Sequence, residues 1–189
     1  MSPLAIPVGL IGAGSGAIKE DAVVELIDDL KAQARVLHRR AQAGDPAALA
    51  RLGQRSADEP VLRRHCLAAL AKELGFSGWP HAVSVLEGAE ECADFGTMLV
   101  PPGASAHWNI WSATYEEARE IHRQAGGFLL AYRRHYFIAD RYFVEMLGLD
   151  PDDDDWAKIG HDWARPADVA ARRRLYAQLI GSTIGTATR

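Results

Sequence analysis

Apolar residues along the first half of the chain repeat with a helical period. Val23, Ile27, Leu30, Ala34, Leu37 and Ala41 recur at alternating steps of four and three, which is one stripe of an amphipathic helix, and predict a helix from Lys19 to Gln42. Gly44-Asp45-Pro46 reads as stop and restart, with Asp as N-cap and Pro at the first helical position, so a short helix follows to about Gly53. Leu62, Cys66, Leu70 and Leu74 stripe a third helix from about Pro60, ended by Gly75. Trp79-Pro80 opens a fourth, with Val83 and Leu86 inward, ended by Gly88. Tight connections make sequential helices antiparallel neighbours.

The texture changes after Glu91. Phe95–Val100 is a short apolar run closed by Pro101-Pro102-Gly103, and His107–Trp111 is a second extended candidate. Thr114 with Glu117 forms a capping box for a helix through Ala125, and Gly126-Gly127 ends it. Phe128–Ile138 is aromatic-rich and reads as a third strand, giving a strand–helix–strand order long enough for a crossover. Asp140 caps a helix through Leu147, Asp150-Pro151 starts another through Ile159, and Pro166 opens a last one through Ile180. The expected fold is therefore α+β and mainly helical: a four-helix segment packed on a small mixed three-stranded sheet with flanking helices. The expected segments are a flexible leader over 1–18, a helical segment over 19–91, a small α+β segment over 92–181 and a frayed tail over 182–189.

Composition narrows the function classes. The 189 residues carry 48% apolar and 24% charged side chains and a net charge of −4, as an ordinary globular protein does. Divided after Glu91, the first part has 10 basic and 12 acidic residues and the second 11 and 13, so each is near −2. Neither is the basic domain that non-specific nucleic-acid binding needs. Two cysteines, Cys66 and Cys92, fit a reducing, cytoplasmic setting better than a disulfide scaffold. No apolar run reaches a membrane span, and Leu4–Ala17 has no Lys or Arg before it, so it lacks the charged start of a secretory signal.

Leu30-Lys-Ala-Gln-Ala-Arg35, Leu37-His38-Arg39, Gly44-Asp45-Pro46-Ala47-Ala48-Leu49 and Cys66-Leu-Ala-Ala-Leu-Ala-Lys-Glu73-Leu74-Gly75-Phe76 with Trp79-Pro80 form a recognisable set. Residues 25–88 resemble a helical module of uncharacterised bacterial proteins, sometimes found ahead of ankyrin-type repeats; the Glu-Leu-Gly-Phe-x-x-Trp-Pro string is its most specific part. The resemblance implies helices and partner binding and transfers no catalytic residues. No ankyrin Thr-Pro-Leu-His string follows, which departs from that arrangement.

Most motif-like strings lack a residue their chemistry needs. Gly12-Ala-Gly14-Ser-Gly-Ala17 has the spacing of a dinucleotide turn, but no acidic residue lies in Gln33–Arg39, where a second strand should end. Asp150, Asp152 and Asp154 begin a calcium-loop pattern that then has Asp155 where Gly is required and His161 where Glu is required. No His-Glu-x-x-His, Cys-x-x-Cys or Gly-x-Ser-x-Gly is present. Cys92, Asp94, His107 and His135 are weak metal candidates, and Cys92 a possible nucleophile; no cofactor is expected. Arg63-Arg64 and Arg172-Arg173-Arg174 read as helix faces.

His107-Trp108-Asn109-Ile110-Trp111 and Tyr132-Arg133-Arg134-His135-Tyr136 make the one constellation with chemistry on it. On pleated strands alternate residues share a face. That puts His107, Asn109 and Trp111 together, and Tyr132, Arg134 and Tyr136 together with Arg133, His135 and Phe137 opposite. Aromatics with hydrogen-bonding tips beside arginine suit a small polar or anionic ligand. The candidate binding residues are His107, Asn109, Trp111, Tyr132, Arg134 and His135. A non-enzymatic interaction or regulatory module, meeting a protein partner through the helical half, is the leading expectation. A ligand binder or enzyme using this face comes second, and a nucleic-acid binder third.

Overall fold

A computed structural model describes residues 17–53, 60–88, 93–100, 104 and 109–187. Among the described residues, eight helices and three strands follow in the order α1 (Ala17–Gln42), α2 (Pro46–Arg51), α3 (Arg63–Glu73), α4 (Trp79–Glu87), β1 (Ile110–Ser112), α5 (Tyr115–Ala125), β2 (Phe128–Tyr132), β3 (His135–Ala139), α6 (Arg141–Met146), α7 (Asp154–Lys158) and α8 (Val169–Ala187). The fold is α+β and mainly helical.

The four N-terminal helices follow the apolar stripes. Ile27, Leu30, Ala34, Leu37 and Ala41 are all buried on α1. The N-terminal end of that stripe joins a large core containing Leu86, Phe137, Phe143, Trp156 and Leu175, and its C-terminal end packs on Ala48, Cys66 and Leu70. Asp45 accepts from the Ala47 and Ala48 amides and so caps α2. Helix α3 begins at Arg63, three residues after the expected Pro60, because Leu62 is extended and gives its N–H to His65 Nδ1. Helix α4 starts at Trp79 and ends on Gly88 in the left-handed region.

The sheet differs from the expected one in three ways. First, Phe95–Val100 is not a strand. Asp94 accepts the Gly96 amide in an Asx turn, Gly96 has φ +72, and Thr97 donates to the Gly75 carbonyl, so the run folds as a loop against the end of α3. Its apolar residues part company, Phe95 to one core cluster and Leu99 to another. Second, Phe128–Ile138 is a hairpin of two strands joined by Arg133-Arg134, with Tyr132 opposite His135. Third, the strand order is β1-β3-β2 with both pairings antiparallel, so the strands that α5 joins in a crossover, β1 and β2, run parallel but are not neighbours: β3 lies between them. Among the described residues the parallel pairing is an isolated bridge, Leu129 with Asp162, on the outer side of β2.

Three layers result. One sheet face, with Phe128, Leu130, Phe137 and Ala139, closes the large helical core. The other, with Leu129, Ala131 and Ile138, is covered by Tyr115 and Ala118 of α5 and by Phe95 and Ala164. Helix α5 is capped by Thr114 and α6 by Asp140, as expected. Helix α7 starts four residues after the expected point, since Asp150 holds the Asp152 amide in a turn and Asp153 becomes the cap. Asp168, not Pro166, caps α8 through the Ala170 and Ala171 amides, and the helix runs on to Ala187, past the expected end at Ile180. The first sixteen leader residues lie outside the described residues; 17 and 18 already belong to α1.

Candidate functional site

The two-residue hairpin turn sets the geometry of the candidate site. Arg133 has φ +52, the sign that a type II′ turn needs at its first central position and normally takes from glycine. An L-residue there costs roughly 1–2 kcal/mol. The turn is held nonetheless, because Arg133 donates to the Gly96 carbonyl and the Phe95 amide donates to the Arg133 carbonyl. The reversal resets the side-chain alternation, so Tyr132, His135 and Phe137 share a face and Tyr136 lies on the other. This corrects the expected grouping of Tyr132 with Arg134 and Tyr136. Trp111 sits opposite Phe137 on β1 and therefore joins Tyr132 and His135.

The rings meet across β3. Trp111 stacks on Phe137 at 4.6 Å between centroids and stands perpendicular to Tyr132 at 5.9 Å. Phe137 in turn touches Phe143, which carries the aromatic chain into the core. The floor is thus rigid, with Phe137 fully buried, while Trp111 above it is 48% exposed. The Arg133 guanidinium lies 5.6 Å from the Tyr132 centroid, a cation–π contact. Arg134 and His135 are exposed. Among the described residues no carboxylate pairs with Arg133 or Arg134.

Of the expected site residues, the structure brings Trp111, Tyr132 and His135 together at one end of one sheet face. Arg134 is on the adjacent turn rather than in a strand. Asn109 precedes β1, half-buried, with its Oδ1 buried and lacking a partner among the described residues. His107 and Cys92 lie outside the described residues. Asp94 is engaged in its Asx turn and lies beside His81, whose Nε2 bonds the Asp94 carbonyl at 2.7 Å. Among the described residues no group of three metal-binding side chains is assembled. The arrangement among the described residues is a set of aromatic and cationic side chains at one end of a sheet face. Arg133 belongs to it and was assigned by its alternation to the opposite face; the turn that recruits it carries no Gly or Asn to announce itself.

Elsewhere the polar clusters join elements to one another. Asp155, 5% exposed, receives Nε and Nη2 of Arg174 at 2.6 Å each and Lys158 Nζ at 2.8 Å, joining α7 to α8. These cations hold its carboxyl below the usual range, Arg174 first. Tyr115 donates to Asp162 at 2.6 Å beneath the Arg165 guanidinium, and burial followed by that carboxylate pushes its phenol up to about 12. Arg172, 5% exposed, donates to the Trp163 carbonyl, and its Nε has no partner among the described residues.

The large apolar side chains left exposed are unevenly placed. Among the described residues, Val36, Leu49 and Leu62 represent the helical half, whereas Ile110, Trp111, Tyr142 and Met146 belong to β1 and α6, and Val169 begins α8. Among the described residues no helix is long and apolar enough to cross a membrane. A scan against protein-family models matches no family, and searches of curated proteins and of solved structures return no match.

Proposed function

We propose that this chain is a non-enzymatic interaction module that docks a protein partner on the exposed end of its sheet, through Trp111, Tyr132 and the Arg133-Arg134-His135 turn. The observation that carries the reading is Trp111: an indole 48% exposed yet fixed in place by stacking on buried Phe137. Large rigid aromatics beside arginine are the residue types that concentrate binding energy at protein interfaces, because they bury much area while losing little side-chain entropy. Among the described residues of the helical half, expected to carry the partner surface, the exposed large apolar side chains are aliphatic, at 37–46% exposure.

The enzyme reading fares less well on the same geometry. General acid–base work needs an imidazole held in orientation and shielded from bulk water. His135 is exposed, and among the described residues nothing orients it. A photo-cross-linking amino acid placed at position 111, with position 36 as control, tests the proposal in the cells that make the protein. The expected result is a discrete adduct formed from 111 and absent from 36. No adduct at 111, or the same adducts from both positions, would refute it.

A further inference from the structure

The two edges of the sheet are treated differently by the rest of the chain. Outside β2, the segment 161–163 pairs with Leu129: the Leu129 amide donates to the His161 carbonyl and the Trp163 amide to the Leu129 carbonyl. The hairpin turn is likewise closed by residues 95 and 96. Strand β1 lies at the other edge and has β3 as its only strand neighbour among the described residues. Its Ile110 and Trp111 are both about half exposed, at 50% and 48%. Edge strands are ordinarily blunted by charge, proline or cover, since bare ladder groups recruit another strand.

Next to this edge stand two arginines that no carboxylate of the described chain neutralises, although acidic residues outnumber basic ones by 25 to 21 overall. Arg133 also occupies a left-handed position at a conformational cost, where Asn or Gly would be cheaper. Strain of that kind persists only where the surroundings hold it, as the bonds to residues 95 and 96 do here, and it clusters at ligand-binding sites. Resting on the docking proposal above, we infer that the partner presents an acidic, extended peptide segment that adds as a strand to β1, with its carboxylates on Arg133 and Arg134. Main-chain bonds supply affinity in strand addition, and side-chain pockets and charges supply selection. A single-stranded nucleic acid is the competing anion. It fits less well, because Trp111 and Tyr132 stand at 90° and cannot stack successive bases, and Phe137 already covers one indole face.

The test uses the full chain labelled with nitrogen-15 and three probes: an alternating Glu-Val octapeptide, its Lys-Val counterpart and a twelve-residue oligothymidine. The Glu-Val peptide is expected to bind, to shift the amides of Ile110–Ser112 and to slow their hydrogen exchange. The pair Arg133→Asn and Arg134→Gln should weaken it by about fivefold or more; Asn suits the positive φ, so folding is preserved, and thermal unfolding of the variant verifies that. Equal binding of the Lys-Val peptide would overturn the charge assignment while leaving the docking surface standing. Tighter binding of oligothymidine would overturn the peptide assignment. Absence of protection at 110–112 with every probe, while position 111 still cross-links, would overturn strand addition alone.

Discussion

Replacing Asp155 by Asn should show how α7 is fastened to α8. The substitution keeps the shape but turns one acceptor into a donor facing the guanidinium, so one arm of the two-bond fork with Arg174 is lost and the other two contacts lose their charge. Breaking a fully buried ion pair costs about 3–5 kcal/mol. Here the Arg174 and Lys158 side chains are 33% and 49% exposed, so water recovers part of their solvation. A loss of about 2–3 kcal/mol remains. Urea unfolding, followed by the fluorescence of buried Trp156 and Trp163, measures it. Lys158→Met should cost under about 1 kcal/mol, as an exposed pair does. A double-mutant cycle with Arg174→Met should give a coupling near 2 kcal/mol. The carboxyl is held below its ordinary 3.8, so its contribution is present above that pH and lost as pH falls through the folded value. The stability gap between the parent chain and Asp155→Asn should therefore narrow on acidification. A loss below about 0.5 kcal/mol, additive with Arg174→Met, would refute the fastening.

Gly75→Ala should destabilise by about 2–4 kcal/mol, since φ is +85 and a Cβ would lie 2.5 Å from Thr97 Oγ1 and 2.9 Å from the Met98 amide nitrogen. Gly53→Ala, with φ +76 and open space around it, should cost only about 1–2 kcal/mol, and chemical denaturation of both isolates the steric part. Tyr115→Phe removes the donor from buried Asp162 and should cost about 1–3 kcal/mol. The raised phenol stabilises the fold below its ordinary 10, and that stability is lost as pH climbs towards about 12, so the variant should show a flatter alkaline unfolding profile. His161, whose pKa burial and then the charge of His122 lower, contributes stability above pH 6.5 that is lost on acidification. His161→Asn, which also accepts φ +54, should reduce the slope of melting temperature against pH in that window.

What was legible in the sequence tracks which signals are local. The α1 stripe, the Gly44-Asp45-Pro46 restart, the Thr114 and Asp140 caps and the Gly88 stop depend on a few adjacent residues, and each stands where expected. The sheet depends on distant partners. Phe95–Val100 has the composition of a strand, but its Phe95, Gly96 and Thr97 amides go to the hairpin turn, to Asp94 and to the end of α3. The Phe128–Ile138 run conceals a turn because Arg-Arg has none of the Gly, Asn or Asp that mark one. An unmarked reversal shifts the alternation of everything beyond it, so strand alternation alone puts Tyr132 and His135 on opposite faces, whereas the register puts them on one. Trp111 was singled out by residue type alone. Its exposure of 48% depends on the strand register that sets it against Phe137, which no local signal announces.

Hydrogen–deuterium exchange on the chain bound to the protein captured through position 111 tests the docking surface most directly. Slowed exchange confined to residues 110–112 and 132–135, with the amides around Val36, Leu49 and Leu62 unchanged, is the predicted pattern. Slowing over α1 to α3 with none at the sheet end would put the partner on the helical half and contradict the account.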